Sequence, residues 1–132
     1  MLGHLGLNVG DLDQAKRYYD SFMDLFGFEP LLADHDQFAY RPANGKAGTY
    51  LFFYRAEEDA GYARQRVGLQ HLAFTVPNRT AVHEAHRRAV HLASTVLHPP
   101  QPFPQYPPPY FASFWLDPFG IMLEAVCHHD RD

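Results

Sequence analysis

Two short segments with the same alternation of apolar and polar positions organise the sequence. Gly3–Val9 reads GHLGLNV and Gln70–Val76 reads QHLAFTV. A period of two predicts a β-strand in each segment, with the apolar side chains on one face. The opposite face begins with His4 in the first copy and His71 in the second, and continues with small or polar residues. We therefore expect a duplicated unit with open space in front of two equivalent histidines.

The first half of the chain is predicted to form a strand, a helix and three further strands. Asp11 stands where a helix N-cap belongs, and apolar residues recur at helical spacing as far as Phe26, which predicts a helix of about four turns. Three strand-prone segments follow, at Phe28–Ala33, Gln37–Arg41 and Thr49–Arg55.

The second half repeats this order. After the strand at Gln70–Val76, either Asn78 or Thr80 is expected to cap a second helix. His98–Pro109 contains seven prolines among its twelve residues, and this composition excludes a helix or a central strand. The remaining strands are predicted at Ser94–Leu97, Phe111–Leu116 and Ile121–Cys127.

The predicted fold class is α+β, with two tandem βαβββ modules in one domain over residues 1–132. Module one spans about 3–55, a connector about 56–67 and module two about 68–127, and residues 128–132 form a polar tail. Each module is expected to cover one sheet face with its helix. Pairing the bare faces, within one chain or between two, would enclose a cup.

Composition limits the classes of function. The chain has 132 residues, 46% of them hydrophobic, and a formal net charge of −4. That charge argues against a nucleic-acid partner, and no apolar segment is long enough to predict a membrane span. Cys127 is the single cysteine, so no internal disulfide can form, and we expect a cytoplasmic protein.

Three segments resemble the vicinal oxygen chelate superfamily, namely HLGLNVGDLDQAKRYYDSFMDLFGFEP, HLAFTV and FWLDPFGIMLEAV. That superfamily contains glyoxalase I, fosfomycin-resistance thiol transferases, extradiol dioxygenases and bleomycin-binding proteins. The similarity covers about residues 3–127, and its most specific parts are the paired histidine-bearing strands and Asp117–Glu124 (DPFGIMLE). It implies tandem βαβββ modules forming a cupped, partly open barrel, in agreement with the order of elements above.

The resemblance implies a site for one divalent metal ion (Fe, Mn, Zn or Ni). Its expected ligands are His4 and His71 on the first strand of each module and Glu124 on the last strand. Glyoxalase I has a fourth ligand, a glutamate, at the position of Phe52, and no residue from Tyr50 to Tyr54 can replace it. Two histidines and one carboxylate leave half of the coordination sphere open for substrate oxygens, water or O2. The alternative interpretation is a hydrogen-bonded polar cluster without a metal.

Aromatic residues are the other candidate site residues. Tyr110 and Tyr106 flank the proline-rich loop near the expected mouth of the cup, where Tyr110, with Glu124, is a candidate for catalysis and Tyr106 for substrate binding. Simple packing under the loop is the favoured alternative for both tyrosines. Three further aromatic residues share one strand face, namely Tyr50, Phe52 and Tyr54. They are expected either to bind a flat substrate or to form core or dimer contacts.

We expect a metal-dependent enzyme that chelates two neighbouring oxygens of a small aromatic or enolic substrate, with extradiol-dioxygenase-like oxidation favoured. One alternative is a glyoxalase-like lyase, an isomerase or a thiol transferase that also uses a metal. Another is a metal-free, bleomycin-type drug-binding protein. His98 is the one additional histidine considered for acid–base chemistry. A homodimer is expected, with no nucleic-acid or membrane partner.

Overall fold

Each half of the chain folds as a strand, a helix and three strands, as predicted. The computed structural model describes residues 1–132, which divide into two units, Met1–Gly61 and Tyr62–Asp132. The first unit contains β1 (His4–Val9), α1 (Leu12–Asp20), β2 (Phe28–Ala33), β3 (Gln37–Pro42), a 3₁₀ turn (Ala43–Gly45) and β4 (Tyr50–Arg55). The second contains β5 (His71–Thr75), α2 (Arg79–His91), β6 (Val96–Pro102), β7 (Phe111–Leu116) and β8 (Met122–Cys127).

The two sheets have the same topology. The strand order is β1-β4-β3-β2 in the first unit and β5-β8-β7-β6 in the second. In each, the first strand runs parallel to the last and the other pairs are antiparallel. Each sheet is open and does not close into a barrel by itself. The predicted α+β class and the βαβββ order are confirmed.

Both helices begin where the sequence predicts. The backbone N–H of Gln14 donates to Asp11 Oδ1 at 3.0 Å, and the N–H of Ala81 donates to Asn78 Oδ1 at 2.9 Å. These side chains satisfy donors that the first turn of a helix leaves unpaired. Neither helix is long and apolar enough to cross a membrane.

The predicted length of the first helix is wrong. α1 ends at Asp20 rather than near Phe26, because local bonds compete with the helical pattern. The Ser21 hydroxyl donates to the Arg17 carbonyl at 3.1 Å, a side-chain bond that weakens helix continuation. Tighter turns follow, in which the Phe22 N–H donates to the Tyr19 carbonyl at 3.0 Å. Phe26 is nevertheless buried.

The proline-rich segment is partly a strand. β6 runs to Pro102, well beyond the predicted end at Leu97. A strand containing Pro99 and Pro100 is possible here because β6 lies at the edge of its sheet, and its pairing with β7 is irregular around His98. The prolines thus exclude a central strand, as predicted, but not an edge strand.

A partly buried hydrogen bond links α1 to β3. The Tyr40 hydroxyl donates to Asp20 Oδ1 at 2.8 Å, and burial, followed by this bond, raises the pKa of Tyr40 well above its usual value. The Tyr40→Phe variant is expected to lose about 1 kcal/mol of unfolding free energy. Urea denaturation measures this loss. Lys16→Ala removes only an exposed ion pair with the same carboxylate and should cost less than half as much. Equal costs for the two variants would contradict the assignment.

Candidate functional site

The register of β5 and β8 places two of the predicted ligands together. Ala73 pairs with Glu124 and His71 with Met122, so the His71 and Glu124 side chains share one sheet face. The turn before β8 supports this register, because the N–H groups of Phe119 and Ile121 each donate to Asp117 Oδ1 at 2.8 Å. The DP-x-G segment singled out in the sequence therefore helps to position the carboxylate.

His71 and Glu124 form a close pair. His71 Nε2 lies 3.2 Å from Glu124 Oε1, and the exposed fractions of the two side chains are 33% and 1%. His71 Nδ1 lies 2.9 Å from Gln70 Oε1. An amide oxygen can only accept, so Nδ1 carries the hydrogen. Nε2 therefore faces the carboxylate either with a second proton or with a free lone pair.

Tyr110 holds the other carboxylate oxygen. Its hydroxyl donates to Glu124 Oε2 at 2.5 Å, a short bond typical of an ionised acceptor. Burial, followed by this bond, raises the pKa of Tyr110 above its usual value, so the hydroxyl keeps its proton. The Tyr110 ring also packs on the buried cluster of Phe103 and Phe114. The Tyr110 ring therefore packs under the loop while its hydroxyl bonds to Glu124, so the two roles considered for this residue are compatible.

Glu124 is in an environment that resists a bare negative charge. Burial raises its pKa, whereas the hydrogen bond from Tyr110 and the neighbouring His71 and His128 lower it. A carboxylate with 1% exposure needs a cation or several donors to remain charged. The Tyr110 hydroxyl and the His71 ring already face this carboxylate. The site therefore favours a positive charge beside Glu124 Oε1.

Aromatic side chains surround this pair. The Phe114 ring centroid lies 6.2 Å from that of His71 and 5.6 Å from that of His98. His98 also contacts Phe103 edge-on at 5.7 Å. The histidine singled out for acid–base chemistry therefore lies on the same sheet face as His71, with Phe114 between the two rings.

His128 is exposed in the polar tail, as expected, but its contact with the candidate site was not predicted. Its ring meets that of Tyr110 edge-on at 5.1 Å, and its presence lowers the pKa of Glu124. Nothing in the local sequence signals this contact, because it depends on where the chain turns after β8. Tyr106 also contacts the Tyr110 ring, at 4.8 Å, and is itself exposed in the proline-rich loop.

In the first unit, His4 lies on a sheet face lined by aromatic rings. Its ring meets Phe52 edge-on at 5.5 Å, and Phe52 stacks on Tyr54 at 6.2 Å. Tyr50, beside His4 in the register, is 38% exposed and Tyr54 is 37% exposed. The three aromatic residues predicted to share one face do so, and Phe52 gives no metal ligand.

The structure brings two of the three predicted ligands into contact within the second unit, while His4 belongs to the first. No group of three or more His, Cys, Asp or Glu side chains that could hold a metal ion is present in the folded chain. The separation of His71 Nε2 and Glu124 Oε1 nevertheless fits a shared ion, because ligand atoms about 2.1 Å from one ion lie about 3.0 to 3.4 Å apart.

Comparisons with known proteins agree on one family. The model of the Glyoxalase/Bleomycin resistance protein/Dioxygenase superfamily matches residues 1–125. A comparison with curated proteins found no match.

Several solved structures share the fold. A glyoxalase candidate from Bacillus halodurans superposes with a TM-score of 0.83 at 28% identity, covering 96% of this chain and 95% of the other. A glyoxalase/bleomycin resistance protein from Albidiferax ferrireducens T118 gives 0.76 at 18% identity, covering 98% and 99%. Lactoylglutathione lyase from Agrobacterium tumefaciens gives 0.65 at 19% identity, covering 96% and 92%. The last two likenesses concern the fold alone.

Proposed function

The chain belongs to the glyoxalase/bleomycin resistance protein/dioxygenase superfamily, and from this membership we propose that it is a divalent-metal-dependent enzyme. Its substrate is a small molecule that presents two neighbouring oxygens to the ion. His71 and Glu124 are the ligands from the second module, and His4 is the ligand from the first. The two modules act together as one domain over residues 1–132.

One observation carries the proposal, namely the approach of His71 Nε2 to Glu124 Oε1 at 3.2 Å. Because Nδ1 donates to Gln70, a neutral His71 would direct its Nε2 lone pair at the carboxylate. Two lone pairs at this distance repel unless a proton or a metal ion lies beside both. His71 and Glu124 would hold a divalent ion here, and its charge would offset the buried charge of Glu124.

The donor set suits the proposed ion. Two imidazoles and one carboxylate bind Fe, Mn, Zn or Ni and leave open positions. His4 comes from the first module of the same chain or of a second copy, and we propose a homodimer. When bound, the ion supplies Lewis-acid stabilisation of negative charge on substrate oxygens, and one-electron chemistry if it is iron.

The chain's own residues prepare the site. Tyr110 holds Glu124 Oε2, which fixes the carboxylate and leaves Oε1 for the ion. Gln70 fixes the orientation and tautomer of His71, as ligand histidines commonly require. Phe114 packs beside His71 and gives the pair an apolar aromatic neighbour. These features favour an aromatic or enolic substrate and extradiol-dioxygenase-like oxidation.

A metal-dependent lyase, isomerase or thiol transferase uses the same ligands and is the first alternative. A metal-free binding protein is the second, and a specific observation favours it. Glu124 already receives the Tyr110 hydroxyl and faces His71, so a protonated His71 would satisfy the carboxylate without an ion. The cluster would then serve only to shape a binding face.

Metal titration distinguishes the enzyme from the metal-free binder. Protein freed of metal with a chelator is expected to bind one Fe²⁺ (without oxygen) or one Zn²⁺ for each set of His4, His71 and Glu124. His71→Ala and His4→Ala should each abolish stoichiometric binding, whereas His35→Ala, an exposed histidine, should not. Wild-type protein that takes up no ion would overturn the proposal in favour of the binder.

Mixing two defective variants tests whether one site uses two chains. If His4 and His71 of a site come from different copies, a mixed dimer of His4→Ala and His71→Ala contains one intact and one doubly defective site. Co-expression with two tags should then restore binding in about half of the sites of mixed dimers. No restoration in a verified mixed dimer would place the whole site within one chain.

Oxygen uptake separates the two classes of enzyme. With Fe²⁺ bound, we expect consumption of O2 with catechols, one O2 for each ring cleaved, and no consumption by the His71→Ala variant. A metal-loaded protein that consumes no O2 but isomerises or adds a thiol to its substrate would replace oxidation by the first alternative.

A further inference from the structure

We propose that the second unit contains a separate binding site for a small aromatic carboxylate, built around Arg79 at the start of α2. A cavity of about 450 Å³ lies here, formed by Arg79, Asp130, Tyr110 and the proline-rich loop with Phe103 and Phe111. That volume is within the range of small-molecule sites. The site is independent of the metal and of the enzymatic proposal.

The cavity shares Tyr110 with the pair of His71 and Glu124, but its cation lies on the other side of the sheet. Tyr110 and Phe111 are consecutive in the chain, so their side chains point to opposite sides of the sheet. Tyr110 bonds to Glu124 on one side. Phe111 contacts Arg79 and His83 of α2 on the other side. The guanidinium therefore belongs to the helix-covered side.

Arg79 is incompletely satisfied. One terminal nitrogen, Nη2, donates to Asp130 Oδ1 at 2.6 Å, but the Nε–H is buried and has no hydrogen-bond partner. An unpaired buried donor is uncommon and calls for an explanation. Nε and Nη together form the fork that binds a carboxylate with two parallel hydrogen bonds. Asp130 uses one side of this fork and leaves the other side unused.

The pair with Asp130 is weak enough to be displaced. Its side chains are 37% and 79% exposed, and exposed ion pairs contribute little. The tail is also held by the backbone, since the Arg79 N–H donates to the Arg131 carbonyl at 3.0 Å. A ligand carboxylate can therefore replace the Asp130 side chain on Arg79 without releasing the tail.

The walls select the rest of the ligand. The guanidinium carbon of Arg79 lies 5.4 Å from the centre of the Phe111 ring, and prolines and Phe103 form the remaining surface. These walls are apolar, apart from the one cation, the exposed Asp130 and the Tyr110 hydroxyl, which is bonded to Glu124. A planar ring bearing a single carboxylate matches this arrangement, because the ring contacts proline and phenylalanine while the anion reaches Arg79.

Benzoate is the probe for the test. Protein kept in a chelator, so that no bound metal can capture the probe, is titrated and followed by NMR. We expect a dissociation constant of about 1 mM, ordinary for so small a ligand, with shifts at Phe111 and His83 rather than at His71. Benzyl alcohol and acetate, which lack the anion and the ring respectively, should each bind at least about 10-fold more weakly.

Two variants must change the affinity in opposite directions. Arg79→Gln should weaken benzoate binding about 10-fold or more, whereas Asp130→Asn, which removes the competing carboxylate, should strengthen it about threefold. Arg87→Gln is the matched control, since Arg87 pairs with Glu84 elsewhere on α2, and should have no effect. Unchanged binding in Arg79→Gln, weaker binding in Asp130→Asn, or shifts centred on His71 would overturn the proposal, as would no binding in any protein.

Discussion

Glu124→Gln is expected to weaken the binding of divalent metal ions about 100-fold, a loss of about 2.7 kcal/mol of binding free energy. The substitution preserves the size of the side chain but removes the only negative charge in the proposed ligand set. Glu124 is 1% exposed, so solvent screens its attraction for an ion only weakly, and loss of the charge removes a strong interaction. Competition with a chromophoric chelator at constant pH measures the affinity of the wild type and the variant.

Two variants make this result specific. Tyr110→Phe keeps the ring on Phe103 and Phe114 but frees Glu124 Oε2, and should weaken metal binding about 10-fold. Glu84→Gln removes a half-buried carboxylate that pairs with Arg87 and Arg88 on α2 and should leave metal binding unchanged. Wild-type affinity in the Glu124→Gln variant would show that this carboxylate is not a ligand.

Stability provides a readout that separates a ligand from a structural residue. In a chelator, Glu124→Gln should unfold at the same urea concentration as the wild type or at a higher one, because a neutral amide is cheaper to bury than a carboxylate. Loss of metal affinity would then have a local cause. A variant that loses both affinity and several kcal/mol of unfolding free energy would instead indicate a structural role for Glu124.

The fold could be predicted from the sequence because most of its signals are local. Alternation in β1 and β5, caps at Asp11 and Asn78 and the turn at Asp117 each act over a few residues. Two boundaries could not be predicted in the same way. α1 stops at Asp20, the last helical residue, whose carboxylate accepts a hydrogen bond from Tyr40 of β3. β6 continues through prolines because the fold places this strand at the edge of its sheet.

The candidate site was predictable only in part, for the same reason. A repeated histidine and the Asp117–Glu124 segment identify His71 and Glu124, and the register brings these two together. The Tyr110 hydroxyl reaches Glu124 of β8 from the residue just before β7, and His128 contacts Tyr110 after the last strand ends. Such contacts depend on register and chain direction, which the pattern of residues does not specify.

Phe53→Ala is expected to cost about 3 to 5 kcal/mol of unfolding free energy, a large share of the 5 to 15 kcal/mol typical of a domain. Phe53 is fully buried at the centre of β4. Its ring stacks on Phe38 at 4.7 Å and contacts Tyr19 at 4.5 Å and Tyr40 at 6.1 Å. Removing it leaves a cavity between α1 and the sheet, which urea denaturation followed by circular dichroism should detect.

Tyr50→Ala on the same strand is the matched control, because Tyr50 is exposed and its removal should cost less than about 1 kcal/mol. Trp115, the single tryptophan and fully buried in the second unit, reports separately by fluorescence. If residues 1–132 are one domain, as we propose, the fluorescence transition shifts together with the circular dichroism transition in Phe53→Ala. A fluorescence transition that stays at the wild-type urea concentration would show that the two units unfold independently. A loss of unfolding free energy below about 1 kcal/mol in Phe53→Ala would show that the cluster around Phe53 is not the core of the first unit.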